Sequence, residues 1–205
     1  MDHFALLGQP RQPWLDAASL KAAFLELSAR LHPDRIQAAD AGERAEATGR
    51  FAELNAAYHC LREPKERLLH LLELELGAPP ASVQSVPADT LDLCMETGRI
   101  CREVGPFLAA RARAASPLLA AQWLEQGLKW TGRLQGLQRQ VQLRREKLLA
   151  ELQDMNAAWK SAPPPAAPGR AAALPLERLE EMGRTLGYLG RCEAQLQERL
   201  AQLSY

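Results

Sequence analysis

Apolar residues recur every three or four positions along most of the chain, the period of an α-helix with one buried face. Leu20, Phe24, Leu27 and Leu31 step by 4, 3 and 4, and Ala47, Phe51, Leu54, Tyr58 and Leu61 step by 4, 3, 4 and 3. Pro33 ends the first of these helices, because proline disfavours the α conformation in the residue before it. Asp16 is placed to cap its start. Two such faces joined by a loop over roughly residues 32–42 bury each other as an antiparallel hairpin. A short helix is expected on either side of that hairpin.

Beyond residue 87 the stripes lengthen. A first helix is expected from about Ala88 to Val104, ending near Gly105-Pro106 with a continuation toward Ala115 open. A second begins near Ser116-Pro117, serine as cap and proline at the first helical position. Its stripe is Trp130, Leu134, Leu137, Val141, Leu148, Leu152, Met155 and Trp159. The last runs from Pro175 to about Leu203 on Leu176, Leu179, Met182, Leu186, Leu189, Leu196, Leu200 and Leu203. These near-heptad stripes suit a three-helix antiparallel bundle, with a self-associating coiled coil as the competing reading. Two proline-rich breaks punctuate the chain, Gly77 to Pro87 and Ala162 to Leu174. The expected organisation is all-α: one unit over residues 1–76, a linker at 77–87, and a bundle over 88–205 interrupted by a loop at 162–174.

Composition sharpens this. Of 205 residues, 47% are apolar and only 5% aromatic, with Leu and Ala dominating and Val and Ile scarce, which favours helices over strands. Lys and Arg balance Asp and Glu at 25 each. The chain as a whole therefore has no electrostatic pull toward nucleic acid or an anionic membrane. Residues 1–76 hold nine basic and twelve acidic side chains, a difference too small to carry a function. No run of eighteen apolar residues could cross a bilayer, and the first residues lack a signal-peptide pattern. Cys60, Cys94, Cys101 and Cys192 are widely spaced, as expected of reduced thiols in the cytoplasm rather than of a disulfide framework.

One short motif carries most of the information. His32-Pro33-Asp34 stands at the end of one amphipathic helix and ahead of the next. Pro33 stiffens the loop by fixing a torsion and removing a donor. Asp34 can bond within the turn or face a basic partner, and His32 can donate or accept near neutral pH. Alone, the three residues also fit a plain helix terminator. Their setting does not. Asp2-His3-Phe4-Ala5-Leu6-Leu7-Gly8 lies upstream, Leu31-His32-Pro33-Asp34-Arg35 closes the first long helix, and Leu54-Asn55-Ala56-Ala57-Tyr58 precedes Pro64 and Arg67. This ordered set resembles the J domain of DnaJ-family co-chaperones. The resemblance implies that His32, Pro33 and Asp34 contact the nucleotide-binding domain of a DnaK-type ATPase chaperone and stimulate its hydrolysis. Lys21, Arg30 and Arg35 would supply the basic part of that contact. Lys21 and Arg30 are nine residues apart, which puts them on opposite faces of one helix, so no continuous basic stripe forms there.

No Gly/Phe-rich segment and no Cys-x-x-Cys repeat follows. Length, domain order, the Pro64–Leu74 segment and the stretches Leu186–Arg191 and Leu196–Leu200 instead resemble the HscB family. The resemblance implies a partner chaperone of the HscA type and, on the bundle, an apolar and acidic patch for an IscU-type iron–sulfur scaffold protein. By position that patch comprises Leu91, Met95, Glu96, Glu103 and Tyr188. Arg99 stands where an acid is typical, and Gly98 is unusual in mid-helix. Periodicity adds that Leu93, Ile100 and Val104 form one stripe, with Leu91 and Met95 roughly opposite. That second face is either a docking surface or buried within the protein. The alternative function keeps the J domain as a general folding co-chaperone and makes the bundle an unrelated interaction or dimerisation module.

Other chemistry finds little support. Cys94 and Cys101 share a helix face, but two thiolates without a nearby His or further Cys make a poor metal or cluster site. A redox or metal protein using that pair is the remaining rival. His59 and His70 have no catalytic constellation, and Trp123, Trp130 and Trp159 read as core. No phosphate loop or nucleophile motif is present, so neither an enzyme nor a cofactor is expected.

Overall fold

The structure, a computed structural model, describes residues 1–31, 41–78, 86–113 and 120–204. The described elements are all helical: α1 (His3–Leu6), α2 (Ala17–Leu31), α3 (Ala41–Arg62), α4 (Pro64–Leu76), α5 (Ala88–Arg113), α6 (Ala120–Ser161), α7 (Arg170–Ala173) and α8 (Leu176–Ser204). They gather into two compact units, residues 1–83 with 149–183 and residues 84–148 with 184–205.

In the first unit, side chains set the helix ends. Asp2 accepts from the Phe4 and Ala5 amides at 3.0 and 3.2 Å, and Asp16 accepts from the Ser19 amide at 2.7 Å. Each thereby satisfies donors that an open helix start leaves bare. Pro64 opens α4 and Gly77, at φ 71°, closes it in the left-handed conformation that a residue with a Cβ resists. The hairpin of α2 and α3 closes on the expected stripe. Leu20, Leu54 and Leu61 are buried, and the rings of Phe24 and Tyr58 stack at 4.2 Å. Phe4 from α1, Leu7 just past its end, and Leu68, Leu71 and Leu72 from α4 complete this apolar core.

Three polar groups lie inside the same unit with their partners supplied. Arg67, 4% exposed, donates to the Pro13 carbonyl at 2.8 Å and the Leu61 carbonyl at 2.6 Å. Burial lowers its pKa to about 10, which still leaves it cationic at neutral pH. The Asn156 side chain pairs reciprocally with the Trp14 backbone, at 3.0 and 2.9 Å. Arg170 forms a two-pronged ion pair with Glu75 at 2.7 and 2.8 Å, both side chains almost fully covered. The proline-rich segment therefore differs from the plain loop expected at 162–174. It contains the short helix α7, held because Arg170 finds a buried carboxylate.

In the second unit, ion pairs give the helix directions. Asp89 meets Arg144 at 2.8 Å and Glu103 meets Arg133 at 3.1 Å, so residue numbers rise along α5 as they fall along α6. Cys94 meets Cys192, and Arg111 donates to the Leu203 carbonyl at 2.9 Å, so α5 and α8 run parallel. Together these give the up-down-up order of a three-helix antiparallel bundle. Ile100, Val104, Leu134, Leu137, Val141, Leu189 and Leu196 fill its interior.

The continuation left open past Gly105-Pro106 is taken: α5 runs on to Arg113 with Pro106 inside it. An interior proline costs about 3 kcal/mol through its missing donor and ring clash. The buried stripe Ile100, Val104, Phe107 runs straight across it and offsets that cost. Of the three tryptophans read as core, only Trp159 is buried. Trp123 and Trp130 are half-buried, the first tilted against Phe107 at 5.5 Å and the second under the Arg133 guanidinium at 4.6 Å. The expected start of α6 at Ser116-Pro117 lies outside the described residues.

Candidate functional site

Two surfaces are candidates, one in each unit. The first is the tip of the hairpin. His32, Pro33, Asp34 and Arg35 lie outside the described residues, between the end of α2 at Leu31 and the start of α3 at Ala41. What the structure describes is the stem that carries them. Lys21 and Arg30 are both exposed on α2. Arg30 pairs with Glu26 one turn back at 2.5 Å, an exposed helical pair of the kind that contributes a few tenths of a kcal/mol. Such a pair is weak enough to be exchanged for a partner's carboxylate. The Phe24–Tyr58 stack, with the Arg62 guanidinium 5.9 Å above Tyr58, ties the stem across the hairpin.

The second surface is the α5 face of the bundle. Leu91 and Met95 stand 46% and 61% exposed, so the second apolar stripe is a surface rather than part of the interior. Tyr188 is half-buried on α8, with the Arg191 guanidinium 4.3 Å above its ring. It lies one turn before Cys192, and Leu91 lies nearly one turn before Cys94. Since those two cysteines touch and the helices are parallel, Leu91 and Tyr188 fall at the same level of the bundle.

The acidic members of this face are already engaged. The Arg99 guanidinium donates to both oxygens of Glu96, at 2.8 and 2.5 Å, and to Glu103. Glu103 also accepts from Arg133 at 3.1 Å. The hydrogen bonds from Arg99 hold the Glu96 carboxyl below the ordinary glutamate range. A face that sequence position makes apolar and acidic is thus apolar with its charge neutralised internally. Asp92, Cys94, Met95, Glu96, Gly98, Arg99 and Arg102 line a shallow surface recess beside it.

Cys94 and Cys101 share a helix face, but the Cys94 Sγ lies 2.6 Å from the Cys192 Sγ on the neighbouring helix, a proximity that spacing along the chain does not suggest. All four cysteines are free thiols. The sequence did hold a signal, since Cys192 sits at the core position missing between Leu189 and Leu196. His59 is exposed, and half-buried His70 accepts from the His3 amide at 3.1 Å. Among the described residues, no cluster of three or more His, Cys, Asp or Glu is arranged to hold a metal ion, and no helix is long and apolar enough to cross a membrane.

Comparison with known proteins fits this anatomy. The DnaJ domain family model matches residues 2–70. A co-chaperone protein HscB homolog of Bordetella pertussis is 43% identical over 72 residues, 35% of this chain and 42% of that relative. Another, from Aliivibrio salmonicida, is 39% identical over 96 residues, 47% of this chain and 56% of the relative. The chain thus matches only about half the length of these curated relatives. Among solved structures, the chaperone HscB from Vibrio cholerae superposes with a TM-score of 0.66 at 23% identity, covering 99% of each chain. The human co-chaperone protein HscB gives 0.58 at 16% identity, over 97% of this chain and 84% of that one. At such identities these two likenesses establish the fold. Residues 2–70 are therefore a DnaJ domain, carried by a chain whose likeness, in sequence over that domain and in fold over its whole length, is to HscB co-chaperones.

Proposed function

We propose that this chain is a co-chaperone of an Hsp70-type ATPase of the DnaK/HscA class, acting in the cytoplasm during iron–sulfur cluster assembly. The DnaJ domain match over residues 2–70, which spans His32-Pro33-Asp34, is the observation that carries the reading. In this reading residues 1–76 engage the chaperone, residues 77–87 connect, and residues 88–205 hold the client.

The mechanism is one of contact rather than chemistry. Pro33 limits the conformations of the loop, so docking costs little chain entropy. Asp34 presents a carboxylate to a basic groove on the nucleotide-binding domain, His32 adds a hydrogen bond, and Arg30, Arg35 and Lys21 steer the approach. Hydrolysis takes place in the partner's own nucleotide site. The client is an IscU-type scaffold protein, seated on Leu91, Met95 and Tyr188 with Glu96 and Glu103 at the rim.

Single-turnover ATP hydrolysis by the HscA-type chaperone of the same cell tests the first half. Full-length protein should accelerate it, and His32→Gln should return it to the basal rate with helicity and melting unchanged. Acceleration by the variant equal to the parent's would sink the docking role.

One observation favours a second reading of the bundle. Because Arg99 pairs with both Glu96 and Glu103, a partner that uses those two acids must first displace it, which suits a general folding co-chaperone with a different bundle partner. Capture of the purified scaffold protein by immobilised full-length chain separates the two: the first reading requires capture, the second its absence.

A further inference from the structure

We propose that Cys94 and Cys192 are an oxidisable dithiol that closes to a disulfide, joining α5 to α8 beside the exposed face of Leu91 and Met95. Their sulfurs are in contact at 2.6 Å although the residues lie 98 positions apart, so packing alone puts them together. Cys192 fills a buried position on the α8 stripe between Leu189 and Leu196, and Cys94 neighbours Leu93 on the inner side of α5. Both residues belong to the same compact unit.

Access is unequal. Cys94 is half-buried and opens into the recess it shares with Met95, Glu96 and Arg99, whereas Cys192 is 4% exposed. A small oxidant therefore meets Cys94 first. With a low-molecular-weight disulfide such as oxidised glutathione, the Cys94 thiolate attacks one sulfur and forms a mixed disulfide, expelling one thiolate. The Cys192 sulfur then attacks the Cys94 sulfur, forms the protein disulfide and expels the second thiolate. The two protein thiols give up two electrons and two protons, and the oxidant leaves as two thiols.

The surroundings set the pace. Burial, reinforced by the hydrogen bond the Cys94 thiol shares with Cys192, pushes that thiol up to about 12, with the Arg191 charge pulling weakly the other way. Little thiolate exists at neutral pH, so exchange is slow, unlike that of a fast peroxide sensor. A reduced form with no stabilised thiolate lacks the feature that makes oxidising disulfides easy to reduce, so the closed form persists once made.

Full-length protein incubated with oxidised glutathione, then denatured, alkylated, digested and analysed by mass spectrometry, tests this directly. The expected product is lighter by two hydrogen atoms, keeps two of its four thiols alkylatable, and yields one cross-linked peptide pair joining Cys94 to Cys192. Its melting temperature should rise and return on reduction with dithiothreitol. Cys192→Ser should stop at a glutathione adduct on Cys94. Four alkylatable thiols after oxidation, or a cross-link joining any other pair such as Cys101 with Cys192, overturns the proposal. The wild-type mass spectrum decides alone if the variant misfolds. Any effect on the client face rests on the function proposed above. Scaffold capture that fails in both redox states counts against that function and leaves the disulfide standing.

Discussion

The two units solve the problem of polar groups inside a helical protein in opposite ways. The first buries Arg67, Asn156 and the Arg170–Glu75 pair deeply and gives each its hydrogen-bond partners. The second keeps its charges at the edges. Arg144, Arg145 and Arg133 reach from α6 to acids on α5 and α8 at distances of 2.8 to 3.4 Å, all of them partly in water. A satisfied buried cation is costly to break, because its partners are left bare in a medium that cannot hydrate them. An exposed ion pair is cheap to break and is therefore free to exchange. The first unit is built to hold a shape behind the hairpin, and the second to offer a surface.

Breaking the buried side of this contrast gives the largest expected effect. Arg67→Met removes the donor shared by the Pro13 and Leu61 carbonyls and should cost about 3 kcal/mol of stability. Urea unfolding followed by circular dichroism reads it as a lower midpoint. By contrast, Arg145→Met, which removes the 3.4 Å contact with Glu193, should change stability by less than about 1 kcal/mol. Equal losses at the two positions would erase the distinction drawn between the units.

Next comes the surface itself. Leu91→Ala combined with Tyr188→Ala removes one exposed and one half-buried side chain from this face, and should weaken capture of the scaffold protein about tenfold or more. ATPase stimulation measured without client should not change. Wild-type capture by the double variant would place the client elsewhere on the bundle.

Much of this architecture was legible in the chain, for a specific reason. A stripe such as Leu179, Met182, Leu186, Leu189 reports which way a helix faces without reference to its neighbour. What such a stripe does not report is the rotation and height of one helix against another. The Cys94–Cys192 contact, the Asn156–Trp14 pairing and the Arg170–Glu75 pair each depend on that relation, over separations of 95 to 142 residues. Pro106 leaves the end of α5 open in the sequence. A local rule for ending helices was overridden by burial of Phe107 one residue on. The heptad gaps were informative after all. Cys192 fills the one in α8, and Arg144 and Arg145 fill the one in α6 between Val141 and Leu148. For the candidate site, the phase of Leu91 and Met95 sets them off the core stripe but leaves open whether that face is exposed or buried, and only the packing of the helices decides it. The neutralisation of Glu96 and Glu103 was foreshadowed only by the departure at Arg99.

That departure supports a smaller test. Arg99→Ala releases Glu96 and the Arg99-bound oxygen of Glu103, leaving Glu103 with Arg133. If the acids serve the client face, capture should strengthen by a few-fold at low salt and lose that gain as salt screens the charges. Titration of capture between low and physiological ionic strength separates this from a packing effect, which salt would not alter.

The smallest effect is a pH dependence confined to the first unit. His3 and His70 face each other with ring centroids 4.3 Å apart, and the neutral Nε2 of His70 accepts the His3 amide. Burial lowers both pKa values below the ordinary 6.5, and the charge of His3 lowers that of His70 further. Asp2 and Glu73 pull the other way on both rings, and the Met1 amino group adds to the lowering. A lowered folded-state pKa means that the folded chain binds fewer protons than the unfolded one just below 6.5. The contribution to stability is therefore fully present above 6.5 and is lost as pH falls from there through the lowered values. Both rings are half-buried, and the opposing pull of Asp2 and Glu73 keeps the shifts modest, so the loss should be a shallow one of about a degree or two in melting temperature. His70→Gln keeps an acceptor for the His3 amide but cannot take up a proton, and should flatten the slope between pH 7.5 and 5.5. His3 keeps its own share of the slope in that variant, so only a slope left undiminished would assign the dependence to other groups of the unit.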